Sequence, residues 1–273
     1  PHLLVMTATP IPRSLALTLY GDLELSVLDE MPPGRRPVRT VARSHRARPA
    51  LARFLRREVA EGGRVFVVCP LVEPSGEGAV RSVAEVARVL EGELRGVPVE
   101  VLHGRLDHDR QQEVVEAFRR GDVPVLVATT VVEVGVDVPQ ATMMVVESPE
   151  RFGLAQLHQL RGRVGRGDRQ GWCVLMVSDD LEGDARRRLE LLCTCRDGFA
   201  LAEADLELRG PGEPSGLRQW GVSQLRVADP LRHRELIGIA REAARRLENR
   251  GLLEAVLRAL GTEDGPAALP PAG

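Results

Sequence analysis

Arg64-Val-Phe-Val-Val-Cys-Pro-Leu71 and Val123-Pro-Val-Leu-Val-Ala128 are apolar at almost every position. A strand without polar alternation is buried on both faces, which is the habit of parallel sheets covered by helices on either side. Working outward, further strand patterns stand at 99–103, 142–147 and 172–177. Helix-period segments lie between or before them at 50–61, 80–90, 107–120 and 152–164. This alternation, from about Val38 to Ser178, predicts one doubly wound α/β domain over residues 38–180.

The flanks read differently. Residues 1–37 predict a strand at 3–6, a helix at 11–19 and a strand at 23–28, then the rigid linker Met31-Pro-Pro-Gly-Arg-Arg-Pro37. So few elements before a proline-rich linker are expected to be the tail of a preceding domain. Pro1 has no basic n-region or cleavage site behind it, so the sequence is expected to start inside a longer protein without a secretory signal. Beyond Ser178 the pattern turns helical, with helices predicted at 181–192, 199–208, 231–249 and 252–260 and a Gly/Pro loop at 209–216. That defines a helical region over 181–260. Residues 261–273, rich in Pro, Ala and Gly, are expected to be disordered.

Composition narrows the chemistry. The 273 residues carry a net charge of −2, which does not indicate a generally basic nucleic-acid-binding fold. All 37 basic residues are arginine. A Walker A loop needs a lysine to reach the β- and γ-phosphates, so this chain contains none. Cys69 and Cys173 fall inside strand-like runs and read as buried thiols. Cys193-Thr-Cys195 has no ligand partner at metal spacing, and no metal site is expected. This cysteine usage suits a reducing, cytoplasmic setting.

Gln159-Leu-Arg-Gly162-Arg163-Val-Gly165-Arg166 is the strongest chemical signal. If the helix runs through it, Gln159, Arg163 and Arg166 are spaced four and three apart and share a face, while Leu154, Leu157 and Val164 anchor the other side on the sheet. Paired guanidiniums suit a transferring phosphoryl group, whose charge is spread over its equatorial oxygens. Two glycines within a helix are costly, which argues against a merely solvated arginine face. Upstream, Ala128-Thr129-Thr130-Val-Val-Glu-Val-Gly135-Val-Asp137 follows a buried strand directly, at the strand end where α/β sheets bind ligands. Its hydroxyls, glycine and carboxylate could meet a ribose, a nucleic-acid backbone or a metal-bound water. A plain strand-to-helix loop would look similar.

Together these segments resemble motifs V and VI of the superfamily 2 helicases. Val5-Met-Thr7-Ala-Thr9-Pro10 is similar to motif III, which in that family couples ATP hydrolysis to DNA contact. The resemblance implies a RecA-like parallel sheet, the second of two lobes that sandwich ATP and Mg²⁺, followed by a helical hairpin and translocation region. Walker A and DExH motifs belong to the first lobe, so the isolated chain is expected to be inactive. Carried onto these positions, Arg163 and Arg166 would be γ-phosphate ligands, with Arg166 the arginine finger. Gln159 would sense the γ-phosphate, and Gly135, Asp137, Gly162 and Gly165 would line the nucleotide cleft. Thr7, Thr9, Thr129 and Thr130 would couple to or contact DNA. Asp29-Glu30 follows the motif III segment, whereas a DExH motif precedes it, so the pair reads as structural or linker.

Within superfamily 2 the chain is similar to the RecG family. The segments that carry this are Thr7-Ala-Thr-Pro-Ile-Pro-Arg13, Leu28-Asp-Glu-Met-Pro-Pro-Gly-Arg35, Leu102-His-Gly-Arg105 and Glu150-Arg-Phe-Gly-Leu-Ala-Gln156. Asp197-Gly-Phe199 and Asp205-Leu-Glu-Leu-Arg-Gly-Pro-Gly-Glu213 extend the match. The resemblance implies a motor on branched duplex DNA (stalled forks and Holliday junctions) in recombination and repair, and nothing in the sequence demands more than a monomer. An N-terminal wedge and the first helicase lobe would complete it. Arg188, Arg209 and Gln219 match the family's translocation motif. Trp220, where the family carries a small residue, could stack on a base or pack against the hairpin. Two other readings stand beside this one: the motor of a transcription-repair coupling factor, and a non-enzymatic module that binds DNA or a protein.

Overall fold

The computed structural model describes residues 36–70, 83–129, 138–209 and 234–249, with a few single positions elsewhere. The strands and helix expected before the linker, most of the helix at 252–260, and the tail at 261–273 lie outside these spans. The first unit of the chain is a six-stranded, wholly parallel sheet. In chain order its elements are β1 (Arg39–Ser44), α1 (Arg48–Ala60), β2 (Arg64–Val68), α2 (Val83–Glu93), β3 (Val99–Leu102), α3 (His108–Arg120) and β4 (Val125–Ala128). Then follow β5 (Ala141–Glu147), α4 (Leu154–Arg161), β6 (Trp172–Val177), α5 (Gly183–Thr194) and α6 (Gly198–Arg209). Strand order across the sheet is β1-β6-β5-β2-β4-β3.

Alternate side chains on the inner strands feed two cores. Phe66, Leu126, Met144 and Leu175 face one way, onto Phe118 of α3, Leu157 and Leu160 of α4, Leu189 and Leu192 of α5, and Leu201 of α6. Val65, Val127, Met143 and Val174 face the other way, onto Leu51 and Leu55 of α1 and Val86 and Leu90 of α2. Every residue of β4 and β5 is buried, as a strand covered on both faces must be. Cys69 and Cys173 lie in these cores, and burial pushes both thiols up to about 12.

Local chemistry sets the helix ends. Asp107 caps α3 by accepting a hydrogen bond from the Arg110 backbone N–H (2.8 Å), and Gly121 closes the helix in the left-handed conformation. β1 was not among the predicted strands. As an edge strand that pairs only with β6, it reads Arg-Thr-Val-Ala-Arg-Ser and never forms an apolar run. Leu189, Leu192 and Leu201, beyond residue 180, belong to the same buried cluster as the sheet.

Within the second unit, one helix is described, α7 (Arg234–Asn249), with Leu236 and Ile239 exposed. No helix among the described residues is long and apolar enough to cross a membrane.

Phe118 is fully buried, with its ring 4.6 Å centroid to centroid from Phe66. Phe118→Ala is expected to cost about 3–5 kcal/mol of stability, read as a lowered urea midpoint with an unchanged slope.

Candidate functional site

β5 ends at Glu147, and Ser148 turns the chain in a left-handed conformation (φ 47°) into the short 3-10 turn Pro149–Arg151. α4 then carries the chain back across the sheet, burying Leu154, Leu157 and Leu160. It ends at Arg161, capped by Gly162. The expected helix through Val164 is therefore too long, and Arg163 and Arg166 do not share a helical face with Gln159. Instead Arg163 N–H closes a tight turn on Leu160 O (3.0 Å), and Gly165 adopts φ +67°, donating to Ala141 O at 3.0 Å. The two glycines are the residues that stop and turn the helix, so their cost within a helix does not arise.

Ala141 opens β5, so the arginine-bearing turn lies at the amino edge of the sheet. Val164 is fully buried beneath it, while Arg166 is exposed, its Nε donating to Gly162 O at 3.1 Å. The loop that follows is pinched at its neck by a second glycine. A Cβ on Gly171 would stand 2.8 Å from the Gly165 Cα, and one on Gly165 would meet Gly171 Cα at 3.1 Å and a Val38 methyl at 3.2 Å. Arg169 ties the loop to α1 through Glu58 Oε2 (3.1 Å), Glu61 Oε2 (2.9 Å) and Glu61 O (3.1 Å). Thr142 donates to the same Glu58 oxygen. Gln170 Nε2 donates to Pro37 O at 2.7 Å, and Arg39 N–H to Gly171 O at 2.9 Å. The exit of the linker is thus docked on the loop beside Arg166.

Thr129 stands at the opposite, carboxyl edge, after β4. It is 6% exposed, its N–H reaches Leu102 O at 3.3 Å, and its hydroxyl has no hydrogen-bond partner among the described residues. The structure does not bring Thr129 to the arginine turn: the two groups occupy different edges. Thr130, Gly135 and Asp137 lie outside the described residues, as do Thr7, Thr9, Gln219 and Trp220. Arg209 ends α6.

Arg188 is not a surface arginine like its neighbours. Arg186 and Arg187 are exposed and pair along α5 with Glu190 and Asp184. Arg188 instead points inward, donating to Phe152 O at 3.0 Å and lying 3.4 Å from Asp205 Oδ1 of α6. It ties both helices to the turn that precedes α4.

Sequence reasoning gives Arg161 no role, although it lies within the motif. It is 7% exposed and donates to three main-chain carbonyls, Leu192 O and Cys195 O at 2.9 Å and Arg196 O at 3.3 Å. Burial, first among its influences, lowers its pKa from the usual arginine range. Desolvating such an ion costs several kcal/mol. Hydrogen bonds to a charged group return about 1.5–3 kcal/mol each, and a cation at a helix C-terminus adds about 0.3–1 kcal/mol. The two sides are of similar size, so the buried guanidinium is tolerated. The signal was its spacing: residues 154, 157 and 161 form one helical stripe, and an arginine stands where an apolar residue belongs. Arg169, Gln170 and Gly171 carried no comparable signal.

The donors at the amino edge are guanidiniums and an amide, suited to an anion. Among the described residues no group of three or more His, Cys, Asp or Glu could hold a metal ion.

The profile of the helicase conserved C-terminal domain matches residues 47–168. With the parallel sheet and the turn that closes α4, it defines the class: the second RecA-like lobe of a superfamily 2 helicase. A second profile, ATP-dependent DNA helicase RecG domain 3, C-terminal, matches residues 195–253. The chain belongs to the RecG family. It is 50% identical over 251 residues to the ATP-dependent DNA helicase RecG of Acidithiobacillus ferridurans, covering 90% of this chain and 36% of that protein. With the RecG of Synechocystis sp. it shares 47% identity over 245 residues, 89% of this chain and 29% of that protein. A solved structure of RecG bound to a three-way DNA junction superposes with a TM-score of 0.66 at 45% identity, over 84% of this chain and 30% of that one. The chain spans about a third of the length of the curated relatives it matches.

Two outcomes test the site's construction. Gly171→Ala forces main chain against main chain at the neck of the loop and is expected to destabilise by about 1–3 kcal/mol, seen as a lower melting temperature. His158 is pushed down to about 4, chiefly by burial and next by the charge of Arg161, so it is neutral in the folded protein. Its pKa is lower folded than unfolded, so stability should fall as pH drops from about 6.5 toward 5, with the unfolded chain taking the proton. His158→Gln should flatten that part of a stability–pH curve.

Proposed function

We propose that this chain supplies the phosphate-sensing lobe of an ATP-driven motor that remodels branched DNA, in recombination and repair. The observation that carries the reading is the turn at 162–166, where Arg163 and an exposed Arg166 project from a backbone fixed by Gly165, Val164 and the Gly165–Gly171 neck. Cations held in place before charge develops stabilise a transition state without reorganisation at the moment of reaction. Arg163 and Arg166 would bind the γ-phosphate oxygens, with Arg166 the finger, and Gln159 in the last turn of α4 would sense the same group. Gly135, Asp137, Gly162 and Gly165 would contribute to nucleotide binding.

ATP with Mg²⁺ would supply the free energy, held mainly by a first lobe with the Walker A loop that this lysine-free chain lacks. The isolated chain would then be inactive. The match to RecG bound to a three-way junction supports branched duplex DNA as the partner. Thr129, at the carboxyl edge, and Thr130 would contact the DNA. Thr7, Thr9, Arg188, Arg209 and Gln219 would link its movement to the nucleotide. The divisions we favour are 1–37, 38–180, 181–260 and 261–273. The working form would be a cytoplasmic monomer.

Fork-stimulated ATPase of the full-length protein tests this. Arg166→Ala should reduce turnover by about 10³–10⁵, the usual worth of an arginine finger. Arg209→Ala should lose unwinding while largely keeping ATPase. Wild-type turnover in the Arg166 variant would mean that the turn does not meet the phosphate.

A further inference from the structure

Two segments matched by different family profiles meet at Arg161. The helicase C-terminal profile covers residues 47–168 and so includes α4 and the arginine turn, while the RecG domain 3 profile begins at residue 195. The Arg161 guanidinium bridges them, since its acceptors are Leu192 O in the last turn of α5, Cys195 O that follows it, and Arg196 O in the corner before α6. The same corner is braced from within by Asp197, whose carboxylate accepts from Phe199 N–H at 2.9 Å and whose carbonyl accepts from Leu201 N–H at 3.1 Å. On the other side of Arg161, the next residue is Gly162, whose carbonyl holds Arg166 Nε at 3.1 Å. A short path of fixed contacts therefore runs from the corner of α5 and α6, through one buried guanidinium and one peptide, to Arg166.

Packing alone does not call for an arginine there. The position lies on the apolar stripe of α4, where leucine or methionine would fill the space without desolvating a charge, and such replacements are often neutral or stabilising. What an aliphatic side chain cannot do is grip main-chain carbonyls directionally. A planar fork of donors can, and it reads backbone position rather than side-chain identity. Arg188 makes the complementary attachment, from the middle of α5 to Phe152 O at the entrance to α4. α4 is thus tied to the helical pair near both its ends.

We propose that Arg161 is a positioning residue that couples the arginine turn to the α5–α6 pair, so that a shift of the turn on engaging or releasing phosphate is delivered to the helices as a rigid displacement. The inference rests on the motor reading above. It assigns the coupling to a residue that touches neither nucleotide nor DNA.

The test uses the full-length protein, with Arg161→Lys, which keeps the charge but cannot span three carbonyls, and Arg161→Met, which keeps the stem and removes the donors. Fork-stimulated kcat and KM for ATP, base pairs unwound per ATP and thermal melting are measured on the same preparations. Hydrogen exchange over residues 189–201 is followed with and without a non-hydrolysable ATP analogue. Coupling should fall by about 3- to 30-fold in both variants, with KM unchanged and kcat largely kept. The nucleotide-dependent change in exchange seen in the wild type should be lost.

Unwinding that falls only in step with ATPase, or an exchange response that survives in both variants, would overturn the proposal. So would variants that fail to fold, because Arg161 would then be a structural cap. A wild type without fork-stimulated ATPase would instead remove the motor reading itself, and the coupling role with it.

Discussion

Parallel pairing of β5 with β6 dictates where the chemistry can stand. The chain leaves β5 at the carboxyl edge and must re-enter the sheet at the amino edge, so a crossover has to carry it back across the whole layer. α4 is that crossover, and the turn after its eight residues brings Gly165 onto Ala141, the first residue of the strand it left. The turn bearing Arg163 and Arg166 is therefore placed by topology, with Gly165 fixing the direction in which the arginines leave. Thr129, just after β4 and separated from β5 by β2, is held at the far edge by the same rule. The sheet keeps the two sets of residues apart, at opposite edges of one parallel layer.

Arginine serves inside this domain as well as on its surface. Arg48, 7% exposed, pairs with Glu147 at the end of β5, and Arg161 and Arg188 attach α5 and α6 to the two ends of α4. Each of these contacts joins elements distant in sequence, and two of the three use main-chain carbonyls as acceptors. A delocalised guanidinium is more weakly hydrated than an ammonium and presents several donors in one plane, so it tolerates such sites better than lysine would. Whatever drives the lysine-free composition, the fold uses the residue that remains for jobs a lysine would do poorly.

Strands buried on both faces are legible in the sequence, because the apolar runs 65–68 of β2, 125–128 of β4, 143–146 of β5 and 172–177 of β6 are unbroken. β1 escaped notice because an edge strand with one open side need not be apolar. The helical stripe of α4 was read correctly at Leu154 and Leu157, but its end was not, since glycines in a motif give no sign of whether they lie within a helix or stop it. Gly171 needed the folded chain to be noticed, because its closeness to Gly165 is a contact across a loop. The roles of Arg163 and Arg166 came from the family resemblance joined to their chemistry, and periodicity alone placed them wrongly on a shared helical face. Arg161 was legible in principle, as a charge on an apolar stripe. Its partners were not, because carbonyl oxygens carry no sequence signature.

A structure of the full-length protein with a non-hydrolysable ATP analogue and a forked duplex would show whether the amino-edge turn is where this lobe meets the phosphate of ATP. The Arg166 guanidinium should lie within about 2.7–2.9 Å of a γ-phosphate oxygen, with Gly165 still bonded to Ala141 and the Gly171 neck intact. A γ-phosphate held entirely by other residues, with Arg166 still folded onto Gly162 and facing water, would contradict it.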